Sequence, residues 1–532
     1  MRIFDNALLY NPVSATWIPS SFSVDNGKIK AVGKPGSLSG DLTTDLGGAR
    51  VIPGLIDAHV HIESSLLTPA EFGRLVLTRG VTTVIADPHE IANVAGTQGI
   101  DFMIAEAKHS PADIFFMVPS CVPATPADIG GAAVSAEDLA RYRENPQVLG
   151  LGEMMNVPGV LFGDPEVSAK LALFKRIDGH APALSGEQLC EYISRGIASD
   201  HECTAAEEAE EKLLLGQYIF LREGDAAKNV EALAKIVTPA TASRCCFATD
   251  DRHVDSIARE GTIDNCIRKA CAAGMPLELA LRLATLSAAE YYGLSDRGLL
   301  APGRLADFCI LDEGDEFRIA RVYKKGLSVR RKETPKPSDV SFPPFVCKIP
   351  SADQLTLPDG KLKVIETIPG EIITEAREMD AAEPGLQKIL CIDRYRGEGF
   401  GLGLIKGLNI KTGALATSVS HDAHNIIASG ASDAEILQAV SAVSDAAGGM
   451  AVVVNGKTTL LPLPAGGLMT AKPYEEVCAD METLHAALAE TGADEKAFMS
   501  LSFMALTVVP HLKITPRGLF DGDAFCDIDI KC

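Results

Sequence analysis

The sequence predicts an α/β protein: a (β/α)8 TIM-type barrel with a small split β-sandwich domain and a C-terminal α+β domain. Three observations carry this. Strand-like runs alternate with helix starts over about 240 residues, the length of eight βα units. A turn-rich β texture stands on both sides of that stretch, at 1–55 and again at 298–335. After about 335 the composition shifts, and 345–532 mixes strands and helices differently.

The first 55 residues read as short strands, with Asn26-Gly27 inside FSVDNGKIKAVG as a hairpin turn. RGLLAPGRLADFCILD and RVYKKGLSVR repeat that texture, so one β domain built from two separated pieces is expected. Between them (56–297) the strand-like runs are VIPGLIDAHVHI, VTTVIADP, DIFFMVPS, VLGLGEMM, RIDGHAP, GIASDHE, YIFLRE and RCCFATDD. Thr68-Pro69-Ala70-Glu71 has capping-box spacing with proline at the first helical position, and Gly80 supplies a stop. Phe72, Leu75, Val76 and Arg79 follow at helical spacing. Ser185 to Gln188 and Thr204 to Glu207 repeat the box spacing. A doubly wound open sheet would want a Gly-rich phosphate turn after an early strand, and GEGFGLGLIKG at 397–407 comes too late for one. ETPKPSDVSFPP is a Pro/Ser-rich connector, followed by GLGLIKGLNI and GMAVVVNG as strands and DAEILQAVSAVSDAA as a helix.

With 46% hydrophobic and 23% charged residues, the 532-residue chain builds several cores, which excludes wholesale disorder. Lys+Arg 49 against Asp+Glu 71 gives −22, which argues against a nucleic-acid polymer as partner. No CxxC occurs among the 13 cysteines, so zinc knuckles and thioredoxin-type centres lack their signature, and reduced core thiols are expected. The opening MRIFDNALLYNP lacks a secretory pattern, and no run of 18 apolar residues proposes a membrane span. A cytoplasmic protein is the expectation.

Chemistry gathers where the strands end, the active rim of a βα barrel. Five of the eleven histidines fall there: His59, His61, His89, His180 and His201. Asp87, Glu90, Glu153 and Asp250 accompany them. Any one histidine alone reads as a core or surface residue; five at one rim read as a site. In His59-Val60-His61 both rings lie on one face of a strand and can reach one metal.

PGLIDAHVHIESS, single histidines on two later strands and an Asp near the last resemble the amidohydrolase superfamily. ATLSAAEYYGLSDRGLLAPGRLADFCILD resembles that superfamily's return into its β domain. More specifically, DPHEIANVAG, GLGEMMN, FATDDRH and SVSHDAHNIIASG are similar to the bacterial adenine deaminase branch. The resemblance covers essentially the whole chain. It implies that His59, His61, His180, His201 and Asp250 ligate two divalent ions, Mn(II) or Fe(II) with Zn(II) as the alternative. Glu153 stands where many relatives carry a carbamylated lysine and is expected to bridge the metals. The implied reaction is hydrolytic deamination of adenine to hypoxanthine and ammonia, with a metal-held hydroxide attacking C6. Two ions about 3.5–4 Å apart suit that task.

Asp250 is the expected base, and Asp87 and Glu90 are candidates to deliver a proton or to orient the metal histidines. Asp251, Ser120, His421 and Asp422 are the expected substrate contacts, and His89 reads equally as a substrate contact, a metal ligand or a residue that orients one. His421 and Asp422 belong to a cluster with His424 and Asn425 that a surface turn would also explain. Arg222-Glu223 reads as a barrel-mouth ion pair. His253, His109, His485, His511 and Trp17 carry no functional expectation. A homodimer is what the family suggests. The alternatives are another purine deaminase or cyclic amidohydrolase, or a non-catalytic ligand-binding relative.

Overall fold

The computed structural model describes residues 1–314, 316–329, 342–368 and 373–532. Most of the Pro/Ser-rich connector lies outside them.

Eight parallel strands form the barrel: β1 (Leu55–Val60), β2 (Val81–Ala86), β3 (Asp113–Val118), β4 (Val148–Met154), β5 (Ile177–Gly179), β6 (Ser199–Asp200), β7 (Tyr218–Arg222) and β8 (Cys245–Ala248). Strands β1 to β5 pair in order, and so do β6 to β8. Ala198 N donating to Ile177 O at 3.0 Å joins the two groups, and His61 N donating to Asp250 O at 3.1 Å closes the ring. Their near-continuous apolar runs follow from burial on both faces, inside by the barrel and outside by helices.

VIPGLIDAHVHI is two strands rather than one. Arg50–Pro53 belongs to the β domain and Leu55–Val60 to the barrel, with Gly54 at the crossing. A Cβ on Gly54 would lie 2.2 Å from the Thr82 hydroxyl, so only glycine lets the chain pass there.

The three capping-box spacings mark helix starts but do not form the reciprocal bonds. Helix Pro69–Leu77 begins after Thr68 without a side-chain cap. Its Glu71 instead accepts from Arg74 Nε (2.9 Å) and from the backbone N–H of Tyr474 in the C-terminal region (3.1 Å). Helices Gly186–Ser194 and Ala206–Leu214 likewise lack side-chain caps. Phe72, Leu75 and Val76 do face the core.

Residues from both flanks make one eight-stranded sheet, in which Arg50–Pro53 runs parallel to Arg2–Asn11 and antiparallel to Phe308–Leu311. Its core stacks Phe4 on Phe22 and Phe308 on Tyr323. Asn26 and Gly27 both have positive φ (49° and 75°), the conformation a two-residue hairpin requires.

The C-terminal region is a second eight-stranded sheet, with Ile426–Gly430 between Leu386–Ile392 and Ala414–Thr417. Strand alternation gives it two apolar faces. Leu390 and Ile392 pack under helix Asp433–Asp445, whereas Ile389 and Cys391 join a core continuous with the barrel. Helix Tyr474–Thr491 is pinned to the barrel, where Arg74 stacks on Tyr474 and pairs with Glu475. All 13 cysteines are free thiols, and seven of them are buried. Among the described residues no helix is long and apolar enough to cross a membrane.

Candidate active site

Period two puts His59 and His61 at the end of β1 with their ring centroids 4.8 Å apart. His201, just past β6, stacks on His59 at 4.4 Å, and His180, just past β5, lies 5.2 Å from His201. Glu153, inside β4, reaches the middle. Its Oε2 lies 3.0 Å from His201 Nε2 and 2.8 Å from His180 Nδ1, and its Oε1 lies 3.3 Å from His61 Nε2. Asp250, two residues past β8 at φ 57°, sets Oδ1 3.1 Å from His61 Nε2 and 3.9 Å from His59 Nε2. The six expected metal-binding residues thus share one centre, and all but His180 are buried.

Their donor chemistry fits divalent metal. His59 Nε2 and both ring nitrogens of His201 are buried without a hydrogen bond, so their lone pairs are not spent inside the fold. Two donor triads, His59/His61/Asp250 and His59/Glu153/His201, are each compact enough to share one ion. The field points the same way. Burial alone would raise Glu153, but the His180 imidazole, hydrogen-bonded to its Oε2, holds its carboxyl well below the usual range. Burial opposes charge on Asp250 too, and Arg222 followed by His61 holds it ionised. Against their own burial cost, His201 is driven up to about 10 by Glu153 and Glu202, and His61 is raised by Asp250 and Glu153. The carboxylates of this centre demand positive charge.

Asp57, buried beneath, receives the Thr249 hydroxyl at 2.5 Å and the His59 N–H at 3.4 Å, tying β1 to the end of β8. His61 Nδ1 meets Asp87 O at 2.9 Å, which leaves Nε2 facing the centre.

The remaining expected residues fall into two sets. Asp87 Oδ2 accepts the Glu153 N–H at 2.9 Å, while its Oδ1 is buried without a partner, 3.8 Å from His89 Nδ1. His89 Nδ1 is 3.4 Å from Glu153 Oε1. Asp251 Oδ1 receives the Ser64 hydroxyl at 2.5 Å. The His421–Asn425 loop is not a surface turn: it is buried against the barrel mouth, where His421 Nδ1 lies 2.5 Å from Glu90 Oε1. Burial, then Glu90, pushes the Asp422 carboxyl up to about 7, and its Oδ2 has no partner. Ser120 is turned away from these groups, donating to the backbone carbonyl of Glu153 while its own carbonyl takes the Lys170 ammonium at 2.9 Å.

Arg222 does not pair with Glu223. Its guanidinium bonds Asp250 and Glu202, while Glu223 pairs with Lys269 at 2.8 Å. Sequence reasoning missed Glu202, whose Oε1 is 3.3 Å from His201 Nε2 and 3.5 Å from His180 Nδ1. The signal was its place next to His201 at a strand end. Asp57 was equally legible, two residues before His59 on the same face.

Residues 50–329 match the amidohydrolase family, and residues 367–526 match the adenine deaminase C-terminal domain. The chain is 51% identical over 524 residues to an adenine deaminase of Methanoculleus marisnigri, covering 96% of this chain and 99% of the relative. It is 50% identical to one of Methanoregula boonei (99% and 96%) and 41% identical to one of Desulfatibacillum aliphaticivorans (98% and 96%). A histidine-carboxylate centre at the mouth of a βα barrel, joined to the matched C-terminal domain, agrees with those likenesses along the whole chain: the protein belongs to the adenine deaminase family of the amidohydrolases.

Proposed function

We propose that the protein is a metal-dependent adenine deaminase, converting adenine and water to hypoxanthine and ammonia. The observation that carries the reading is the unspent imidazole nitrogens of His59 and His201 converging on Glu153 and Asp250. This centre sits in a chain 51% identical to an adenine deaminase. We read the chain as a split β domain (1–55 and 298–335, of which 330–335 lie outside the described residues), a barrel (56–297, with its first strand starting one residue earlier at Leu55) and a C-terminal domain (345–532).

His59, His61, Glu153, His180, His201 and Asp250 would hold two divalent ions, Mn(II) or Fe(II), with Zn(II) the alternative; the ligand types suit all three. When bound, such ions acidify water to a pKa of about 7 and so supply a nucleophile at neutral pH. The residues do the rest. As water adds to C6, Asp250 Oδ1 takes one of its protons while a protonated group beside the ring gives one to N1. Asp250 then returns its proton to the amine, the C6–N bond breaks and ammonia leaves, and the proton still on the C6 oxygen goes back to that donor, leaving hypoxanthine with its hydrogen on N1.

Arg222 occupies Asp250 Oδ2 and leaves Oδ1 to face the reacting atoms. Of the two carboxylates considered for the N1 proton, Glu90 has both oxygens engaged by His421 and His424. Asp87 has one oxygen unpartnered beside His89, so Asp87 acting through His89 is the better donor. Asp251, His421 and Asp422 would meet the purine edge and close the pocket over it; Asp422 Oδ2 is free to bond a ring nitrogen or N–H. The active unit is read as a homodimer in the cytoplasm whose partner is the free base. Ammonia release measured across adenine, guanine, adenosine, cytosine and dihydrouracil tests the reading. Adenine should be the preferred substrate, and turnover of another of these without adenine would replace it.

A further inference from the structure

Glu90 lies in the first turn of the short helix His89–Ala95 on the barrel, yet both its oxygens are engaged by the C-terminal region. His421 Nδ1 lies 2.5 Å from Oε1, and His424 Nε2 bonds Oε2. The second contact has a fixed direction. Ser420 N–H donates to His424 Nδ1 at 3.2 Å, so that nitrogen is an acceptor and Nε2 carries the hydrogen given to Glu90. The loop bearing both rings is itself rigid. It joins the paired strands Ala414–Thr417 and Ile426–Gly430, His421 stacks on Phe503 at 4.7 Å, and Asn425 Nδ2 reaches Ile129 O at 2.8 Å. Gly466 completes the grip: a Cβ there would stand 2.3 Å from Ile91, the residue after Glu90.

On the other side of Glu90 stands His89, with Nε2 3.6 Å from Oε1 and Nδ1 3.4 Å from Glu153 Oε1. A contiguous polar path therefore runs from the C-terminal domain to the carboxylate at the centre of the metal site. We propose that His421 and His424 are positioning residues that fix Glu90 and, through it, the placement of His89 beside Glu153. This rests on the deaminase reading, since His89 is there the proton-delivering group. The C-terminal domain is then a working part of an active site whose six proposed ligands all lie within the first 250 residues.

Glu90, His421 and His424 are also close enough together to share an ion. Unlike His59 and His201, however, they satisfy one another, and none of the bonded atoms is orphaned. Charge agrees with a clamp rather than a ligand set. Burial opposes charge on all three, but His421 is lifted to about 9 by Glu90, Glu90 is held ionised mainly by His421, and His424 is pushed down to about 4 by burial.

The test compares His424→Leu with His424→Gln in the full-length metal-loaded enzyme. The Leu variant should lose about 10–100-fold in kcat, the range for outer-sphere partners of metal ligands, with KM within about twofold and metal content unchanged. The Gln variant, which keeps an N–H donor, should recover most of that loss. Amide hydrogen exchange, which needs no substrate, should speed up over residues 89–95 in the Leu variant and not in the Gln variant. Unchanged kcat and exchange in the Leu variant overturn the proposal, and so does a Gln variant no better than Leu. A third metal equivalent that disappears with His424 also overturns it, by making the trio a ligand set. Wild-type enzyme that releases no ammonia from adenine sinks the deaminase reading instead, and the exchange experiment then decides the clamp by itself.

Discussion

Glu153 Oε2 lies 3.0 Å from His201 Nε2, while the other oxygen of the same carboxylate lies 3.3 Å from His61 Nε2. One side chain on the fourth barrel strand thus faces histidines from the first and the sixth. That is the placement a bridging carboxylate needs.

Glu153→Gln keeps the volume and removes the charge. We expect metal content to fall from two equivalents to one or fewer, and kcat/KM to drop by about 10³-fold or more, as for loss of a principal electrostatic group. Elemental analysis alongside steady-state kinetics checks this; a variant that keeps both metals and most of its activity would remove Glu153 from the bridge.

Arg222 bonds both Asp250 and Glu202 from a buried position. Arg222→Met should leave the metals in place and lower kcat by about 10–100-fold, because Asp250 loses the partner that orients it. An equal loss in an Arg222→Lys variant would agree with the need for a forked donor. Wild-type kcat in Arg222→Met would show the pair to be structural only.

Asp422 presents an unpartnered buried oxygen beside His89 and Glu90. Asp422→Ala should raise KM for adenine about tenfold or more, the cost of one buried polar contact with substrate. If both His421→Ala and Asp422→Ala leave kcat/KM untouched, the loop does not close the pocket.

His485 and Asp255 join the C-terminal helix Tyr474–Thr491 to the barrel at 3.4 Å. Against burial, His485 and then His253 hold the Asp255 carboxyl down to about 2, so its contribution is full above the ordinary 3.8 and lost as pH falls through about 2. His485 is raised by Asp255, so its contribution is full below 6.5 and lost as pH rises through its raised value. The pair is therefore fully formed between roughly pH 4 and 6.5. Because His485 is partly exposed, we expect His485→Ala to cost only about 0.5 kcal/mol at pH 5.5, and less at pH 9. Thermal melts at the two pH values check the sign.

Much of this site was legible because strand periodicity and strand ends are properties of short segments. His59 and His61 read as a pair from their spacing alone, and His180, His201 and Asp250 from where their strands stop. What local sequence could not supply was pairing across distance. Arg222 looked like a partner for its neighbour Glu223, but a strand points successive side chains to opposite faces. The geometry sends Arg222 to Asp250 and Glu202 instead. Glu71 had the spacing of a capping box and was taken by Tyr474, about four hundred residues away. His424 is the largest such case. Only the folded chain brings it to Glu90, through an interface between two regions that each read as self-contained.

The most direct test is metal content measured together with adenine turnover on one anaerobically purified sample. The account predicts two equivalents of divalent metal per chain and one ammonia released per hypoxanthine formed. Activity should be lost on chelation and restored by Mn(II) or Fe(II). A protein that carries no metal, or that releases no ammonia from adenine after Mn(II) reconstitution, would contradict it.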